Sequence, residues 1–239
     1  MRQRPRNLRV PGFFMSVSVE PKKIRSAFLI DGFNLYHAID DCPHFHGFKW
    51  LNPMKLARVY APQESIIAVF FFTALPPWDE HKRARHQRLL EIYEDLGVIV
   101  KRGLFKPTSA TCRLCGKTYS TYDEKLTDIN ICLELLRIGS DDLADRVYLV
   151  TGDNDQAASV RRFRELYPHK EVVVVIPPFR KAAELQQVAS ADRGMTMVQL
   201  QKSVLDDPFK FKNGKVYAKP IKWTAQPMPE NWNPYCRHP

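Results

Sequence analysis

Long apolar runs are missing from this chain of 239 residues, and none approaches the ~20 residues that a membrane-spanning helix needs. The sequence also lacks a GxGxxG turn after a strand and a Walker A motif, which cradle phosphates in many nucleotide-binding enzymes. It contains no internal repeat and no low-complexity tract. These absences argue against a membrane protein, a repeat protein and the common nucleotide-binding folds.

Cysteine is scarce and odd in number, since the chain has five: Cys42, Cys112, Cys115, Cys132 and Cys236. No secretory signal pattern precedes them, so we expect no disulfide framework and a cytoplasmic location, without membrane association. The Arg-rich residues 1–11 lack the apolar segment of a signal peptide. We expect residues 1–23 to form a basic, disordered tail.

Positive charge is in excess, because 36 Lys and Arg residues against 26 Asp and Glu residues give a formal net charge of +10. A basic surface attracts polyanions and speeds encounter with them. The same excess also fits a protein whose charge only keeps it soluble. The hydrophobic share of 44% is enough for a core, so the composition indicates a globular protein with nucleic acid as one candidate partner.

Short apolar runs alternate with helical patterns along the middle of the chain. The predicted strands are residues 26–31, 65–73, 98–105, 146–151, 171–176 and 196–200, and the main predicted helices are residues 80–96, 123–137, 156–166 and 182–188. This alternation is typical of an α/β domain with a mainly parallel sheet between helices. We expect that domain to span residues 24–202, with an insertion at 106–122 and a Pro- and aromatic-rich C-terminal extension at 203–239.

Aspartates stand at the ends of the predicted strands. Asp31 ends the first strand, Asp153 and Asp155 follow the fourth, and Asp128 lies in the first turns of the helix after the insertion. In such sheets ligands bind beyond the carboxyl ends of the strands. Clustered carboxylates repel each other unless a cation compensates, and Mg²⁺ prefers oxygen ligands. For each aspartate alone, a role as helix cap or turn residue is the competing interpretation.

Three ordered stretches resemble a known family. They are residues 27–36 (AFLIDGFNLY), 124–131 (EKLTDINI) and 149–155 (LVTGDND). They resemble the NYN domain, in the LabA-like, DUF88 branch of the PIN-like nuclease superfamily. The CxxCG segment at 112–116 and the VIPP segment at 175–178 also resemble that branch, so the similarity runs from about residue 24 to residue 200.

The resemblance implies a PIN-like three-layer α/β fold and metal-dependent cleavage of RNA by an (endo)ribonuclease. It implies that Asp31, Asp128 and Asp153 bind Mg²⁺ or Mn²⁺ and that Asp155 assists them. The polar residues that match family positions lining the same site are Asn34, Glu124 and Thr151. The expected substrate is single-stranded RNA, with DNA left open.

Basic residues near the same edge are candidates for contacts to RNA phosphates. Arg180 and Lys181 follow a strand end, and Lys125 lies next to the second matching stretch. Each of them also fits an ordinary solvated surface charge. Exposed aromatic side chains are candidates for stacking on unpaired bases, although the sequence does not say which ones are exposed.

The pair Cys112 and Cys115 forms one half of a zinc-ribbon pattern. Two completions are open: Cys42, His44 and His46 of the same chain, or the matching pair of a second copy in a homodimer. A reduced cysteine pair in a turn is the simpler alternative.

Two other functions compete with the nuclease. A non-catalytic RNA-binding or scaffold protein on the same fold has the same basic charge. A phosphatase with Asp31 as an aspartyl nucleophile fits the first strand, but the sequence has no second acid two residues later.

Overall fold

The computed structural model describes residues 23–228. The strands are β1 (Arg25–Asp31), β2 (Ser65–Thr73), β3 (Ile99–Arg102), β4 (Leu104–Thr111), β5 (Thr118–Lys125), β6 (Arg146–Val150), β7 (Glu171–Ile176), β8 (Ala191–Gly194), β9 (Phe209–Lys210) and β10 (Val216–Tyr217). The helices are α1 (Gly32–Asp40), α2 (Pro53–Tyr60), α3 (Glu80–Asp95), α4 (Thr127–Ser140), α5 (Ala157–Leu166), α6 (Ala183–Val188) and α7 (Met197–Gln201), with short 3₁₀ turns at Pro43–Lys49, Asn154–Gln156 and Ile221–Trp223.

Six strands form one sheet in the order β3-β2-β1-β6-β7-β8, and every neighbouring pair is parallel. Strand β1 is central, and its six residues after Arg25 are buried. A strand covered on both faces has to be apolar along its whole length, which explains its continuous apolar sequence. The predicted α/β fold with a parallel sheet is confirmed.

Side chains of the sheet alternate between two cores. Phe28 and Ile30 pack on the side of α1, α2 and α3, whereas Ala27 and Leu29 pack on the side of α4, α5 and α6. This alternation follows from the two-residue repeat of a strand. The molecule therefore has three layers, and the carboxyl ends of β1 and β6 lie between the two helical layers.

The sequence predicts a third strand at 98–105 and an insertion at 106–122, whereas the structure has a short strand β3 followed by a β-hairpin. Strand β3 ends at Arg102, and β4 pairs with β5 in antiparallel register from Leu104↔Lys125 to Thr111↔Thr118. The prediction of a helix from residue 123 is wrong, because Asp123 to Lys125 belong to β5. Gly103, between β3 and β4, lets the chain pass close to the end of β5, because a Cβ at this position would lie 2.5 Å from Glu124 Oε1.

The predicted strand at 196–200 is also wrong. Gln199 Oε1 accepts a hydrogen bond from the backbone N–H of Thr196 at 3.1 Å and so favours the start of α7. The last strand of the sheet is β8, which ends at Gly194. A Thr followed three residues later by Gln is a helix-start signal that the strand prediction overlooked.

The C-terminal segment packs back on the domain. Leu205, Phe209 and Trp223 are buried, and the Trp223 ring lies 6.1 Å from that of Trp50 between ring centres. The expected tail at 1–23 lies outside the described residues except for Lys23, and so do Cys236 and the end of the extension. Within the described chain, none of the helices combines the length and apolar character that a membrane crossing requires.

Candidate active site

The candidate site begins at the carboxyl end of β1, where Asp31 is almost fully buried. Both oxygens of its carboxylate are held in place. The backbone N–H of Asn34 donates to Oδ1 at 2.9 Å, and the Thr151 hydroxyl donates to Oδ2 at 2.9 Å. Asp31 therefore caps helix α1 and at the same time joins β1 to the loop after β6.

A second set of hydrogen bonds joins the loop after β6 to helix α1 and holds the loop itself in shape. Gly152 N–H donates to Asn34 Oδ1 at 2.9 Å, and Asp153 N–H donates to Thr151 Oγ1 at 3.2 Å. Asp155 N–H donates to Asp153 Oδ1 at 3.0 Å, so Asp153 caps the short turn that leads into α5. These bonds bring the first and third matching stretches together.

Asp128 reaches the same region from the first turn of α4. Gln156 Nε2 donates to Asp128 Oδ1 at 3.3 Å. The start of α4 is itself held by Glu124, whose Oε1 accepts from the backbone N–H of Thr127 at 3.3 Å. The Thr127 hydroxyl donates to the same Glu124 oxygen, so Glu124 holds the first turn of the helix that carries Asp128.

Gln156 is the site residue that the sequence did not reveal. It is buried, its Nε2 bonds Asp128, and its Oε1 has no hydrogen-bond partner among the described residues. A buried amide oxygen without a partner is costly unless something else binds it. The only signal in the sequence is its place directly after Asp155, and a glutamine there carries no chemistry of its own.

The charges of the three acids act on each other. The pKa of Asp31 is raised to about 7, first by burial, while the hydrogen bonds from Asn34 and Thr151 lower it and the charges of Asp128 and Asp153 raise it further. The pKa of Asp128 is also raised, by burial and by Asp153, with a smaller repulsion from Asp155. Like charges raise each other's pKa when they lie close together, and among these acids Asp31 is buried whereas Asp128 is exposed.

These side chains do not form a closed cage. No three His, Cys, Asp or Glu side chains of residues 23–228 are arranged as a ready-made metal site. The donor chemistry nevertheless fits Mg²⁺ or Mn²⁺, because such ions take one or two carboxylates and complete their shell with water and phosphate oxygens. A cation bound among Asp31, Asp128 and Asp153 would relieve their mutual repulsion, and the unpartnered oxygen of Gln156 is one more acceptor beside Asp128.

Basic residues flank the site unevenly. Arg180 packs directly on the loop after β6, since a Cβ at Gly152 would lie 2.6 Å from Arg180 Cβ, and its guanidinium pairs with Asp41 at 2.8 Å. Lys181 is exposed. Lys125 stands at the base of the hairpin and pairs with Asp123 at 3.6 Å. Arg180 is therefore the basic residue most firmly built into this edge.

The cysteine pair lies at the other end of the hairpin. Strands β4 and β5 are each eight residues long, so Cys112 and Cys115 at the tip stand roughly 25 Å from the base of the hairpin. The completion by residues of the same chain is wrong for the described part of the chain, where no third ligand of His, Cys, Asp or Glu type joins the pair. His44 Nδ1 instead lies 3.2 Å from the Gln226 carbonyl, and His46 Nε2 lies 3.0 Å from the Asp40 carbonyl.

Comparisons with known proteins place this geometry in a family. A crystal structure of a protein of unknown function from Vibrio parahaemolyticus RIMD 2210633 has a similar fold, with a TM-score of 0.52 and 21% sequence identity over 77% of this chain and 97% of that one. No curated protein matches the chain. The model of the NYN domain matches residues 25–192, which run from the start of β1 into β8 and include all the acids described above. The chain belongs to the NYN domain family, and its three-layer fold is the PIN-like fold of that family.

Proposed function

We propose that the protein is a metal-dependent ribonuclease that hydrolyses phosphodiester bonds of RNA, with Mg²⁺ or Mn²⁺ held by Asp31, Asp128 and Asp153 and with Asp155 assisting. The observation that carries the proposal is the mutual repulsion of these acids around a buried carboxylate at the carboxyl edge of an NYN-domain sheet. Asp31 and Asp153 also cap helical turns, but capping does not require three carboxylates to repel one another, and a bound cation would remove that repulsion.

The residues of the site have separable roles in this reaction. Asn34 and Thr151 fix the orientation of the Asp31 carboxylate, and Gln156 orients Asp128. When bound, a divalent ion neutralises the negative charge that develops on the phosphate during in-line displacement. Because the pKa of Asp31 is about 7 in the protein alone, this carboxyl group is about half protonated at neutral pH and would have to lose that proton in order to hold an ion.

Arg180 supplies positive charge next to the acids. Its Cβ and Cγ rest on Gly152, and its guanidinium pairs with Asp41. A guanidinium in this place attracts the phosphodiester strand and offers it paired N–H donors. Lys125 and Lys181 extend the positive charge on either side and serve as further contacts to the backbone of the strand.

A non-catalytic RNA-binding or scaffold protein is the alternative on the same fold. It shares the net charge of +10 and the basic rim. The buried Asp31 favours the enzyme, because a carboxylate with a raised pKa weakens both folding and attraction of a polyanion. Membership of the LabA-like, DUF88 branch and a cytoplasmic location stay predictions beside this proposal.

The cysteine pair is proposed as a structural half-site for Zn²⁺ that a second copy of the chain completes. Backbone N–H groups of Cys115 and Leu114 and the Cys115 side chain bond the sulfur of Cys112 and lower its pKa. Gly116 takes the left-handed conformation, with φ of 70°, and its N–H donates to the Cys112 carbonyl at 2.9 Å. A tight turn that stabilises a thiolate supports metal binding at the exposed hairpin tip.

Cleavage assays on single-stranded RNA and single-stranded DNA of the same base sequence test the proposed activity. With Mg²⁺ or Mn²⁺ the wild type cleaves RNA, EDTA stops the reaction, and Asp153→Asn lowers the rate on the order of 100-fold or more. Asp192→Asn is the matched control, because Asp192 is an exposed aspartate on the edge strand β8. Cleavage that survives EDTA, or equal rates for wild type and Asp153→Asn, contradicts the proposal.

A further inference from the structure

A cavity of about 510 Å³ lies beside the acid cluster. Its walls are α1, α3, the segment at 74–78 that follows β2, and the base of the β4–β5 hairpin. Binding pockets for small molecules typically enclose ~300–1,000 Å³ and combine an apolar lining with a few polar groups. The cavity therefore has the size of a ligand site. None of the proposed metal-binding acids lines it.

The mouth of the cavity is aromatic. Trp78 and Tyr122 stack with ring centres 4.9 Å apart and planes 28° apart, and the edge of Phe105 meets Trp78 at 4.8 Å. Trp78 and Tyr122 keep 51% and 38% of their surface exposed. Aromatic rings that are held rigidly and still face solvent are platforms for unpaired bases.

The inner part of the cavity adds polar groups to this lining. The rings of Tyr36 and His86 lie 4.9 Å apart, and the ammonium groups of Lys49 and Lys82 each lie 5.3 Å from the centre of the Tyr36 ring. Nε2 of His86 is buried and has no hydrogen-bond partner among residues 23–228. These groups suit a ligand that has a planar ring, neutral hydrogen-bonding edges and a nearby anion. The aromatic rings can contact its plane, His86 can hydrogen-bond its edge, and the ammonium groups can attract its anion.

Two residues of the cavity wall adjoin the acid cluster. Gly32, which follows Asp31 directly, lines the cavity, and so does Glu124, which holds the first turn of the helix that carries Asp128. A strand whose phosphate lies among the acids therefore has an adjacent nucleotide within reach of the aromatic mouth. Lys82 and Lys125 also line the cavity and can pair with the backbone phosphates of the strand.

We propose that this cavity binds an unpaired base of single-stranded RNA, adjacent to the phosphate that the acids act on. The position of this base next to the scissile phosphate rests on the proposed ribonuclease function. Binding of the base itself does not require cleavage. The site makes the enzyme select flexible single strands, because a base inside a duplex cannot enter the cavity without leaving its stack.

Binding measured in EDTA separates this proposal from the cleavage reaction. The probe is a fluorescein-labelled twelve-residue oligouridylate, compared with a strand of twelve abasic ribose phosphates, and the readout is fluorescence anisotropy. The variants are Tyr122→Ala and Trp78→Ala, which remove the platform, and Tyr122→Phe, which keeps it. Tyr119→Ala is the matched control, since Tyr119 is an exposed tyrosine on the same strand that does not line the cavity.

Tyr122→Ala and Trp78→Ala are expected to weaken binding of the oligouridylate on the order of ten-fold. Tyr122→Phe and Tyr119→Ala are expected to keep wild-type affinity for the oligouridylate. On the abasic strand, and likewise on an RNA duplex, the wild type and the four variants are expected to have the same affinity as one another. Because Trp78 and Tyr122 are partly exposed, we expect their substitution to leave the protein folded. Thermal melting of each variant checks this.

Equal affinity of Tyr122→Ala, Trp78→Ala and wild type for the oligouridylate overturns the proposal, whether or not the wild type cleaves RNA. An equal loss on the abasic strand also overturns it, because the aromatic residues then act through the backbone and not through a base. Displacement of the oligouridylate by uridine monophosphate at micromolar concentration overturns it as well and marks the cavity as a site for free nucleotides. If the wild type does not cleave RNA but Tyr122→Ala and Trp78→Ala still lose affinity for the oligouridylate only, the base site is supported. In that case only the proposed ribonuclease function is contradicted.

Discussion

The hydroxyl of Thr151 donates to Oδ2 of Asp31 at 2.9 Å, and both side chains are buried although they are 120 residues apart in the chain. This bond joins the ends of the two central strands, β1 and β6. The same hydroxyl oxygen accepts from the N–H of Asp153 at 3.2 Å, so one small side chain links two of the proposed metal ligands. Thr151 is therefore the positioning residue on which the geometry of the cluster depends.

Thr151→Val keeps the shape of the side chain and removes both hydrogen bonds. We expect the variant to fold and to lose about 10- to 100-fold in metal affinity or cleavage rate, as is typical when a partner of a metal ligand is lost. Mn²⁺ titration by isothermal calorimetry and RNA cleavage measure the two effects. Thr151→Ser keeps the hydroxyl and is expected to restore both, so a Ser variant as weak as the Val variant contradicts this role.

Asp31→Asn removes a carboxyl group whose pKa in the folded protein, about 7, lies above its value in the unfolded chain. The folded wild type binds a proton at Asp31 more tightly than the unfolded chain does. Its stability therefore falls, relative to the variant, as pH rises from about 4 to about 7. In EDTA we expect Asp31→Asn to be more stable than wild type at pH 8 by on the order of 2 to 4 kcal/mol, and similar in stability at pH 4.

Urea unfolding at both pH values measures that difference. Addition of Mg²⁺ at pH 8 is expected to stabilise the wild type and to leave Asp31→Asn unchanged, because ligand binding to the folded state alone raises its stability. A constant difference between the two proteins from pH 4 to pH 8 contradicts the raised pKa.

Gly32→Ala tests the close packing that places α1 behind Asp31. A Cβ at Gly32 would lie 2.3 Å from Phe71 Cε1 and 2.7 Å from the backbone oxygen of Phe72, so the substitution forces the helix away from β2. We expect a loss of about 1–3 kcal/mol in the free energy of unfolding by urea. Gly194→Ala is the control, since nothing lies within 4 Å of a Cβ there; an equal change for both variants contradicts the packing argument.

Zinc content and molecular mass measured together test the cysteine half-site. The proposal predicts one Zn²⁺ for two chains in a dimer, and Cys112→Ser is expected to lose both the metal and the dimer. Cys42→Ser, a change at a free cysteine on another element, keeps both. A monomer that retains zinc, or a zinc-free dimer that Cys112→Ser leaves intact, contradicts a shared site.

Much of the sheet was predictable because its strands are buried on both faces. The bounds of β2 and β7 match the predicted residues 65–73 and 171–176, where continuous apolar runs end at clear breaks. The hairpin of β4 and β5 was not predictable in the same way. Most of its residues on both faces are exposed, so it lacks the alternation of apolar and polar residues that marks a half-buried strand.

The position of the acids at one edge of the sheet was predictable, and their surroundings were not. Asp31 and Asp153 follow apolar strands, and the direction of parallel strands brings such positions to one edge. Gln156 and the aromatic cavity depend on how separate elements pack together. Trp78 and Tyr122 are 44 residues apart by their numbers, and nothing in either local sequence says that their rings stack.

A crystal of the protein soaked with Mn²⁺ and measured for anomalous scattering tests the central claim most directly. The account predicts an anomalous peak at the carboxyl ends of β1 and β6, within about 2.0–2.4 Å of carboxylate oxygens from at least two of Asp31, Asp128 and Asp153. A fully soaked crystal without a peak there, or with Mn²⁺ bound only at other carboxylates, contradicts it.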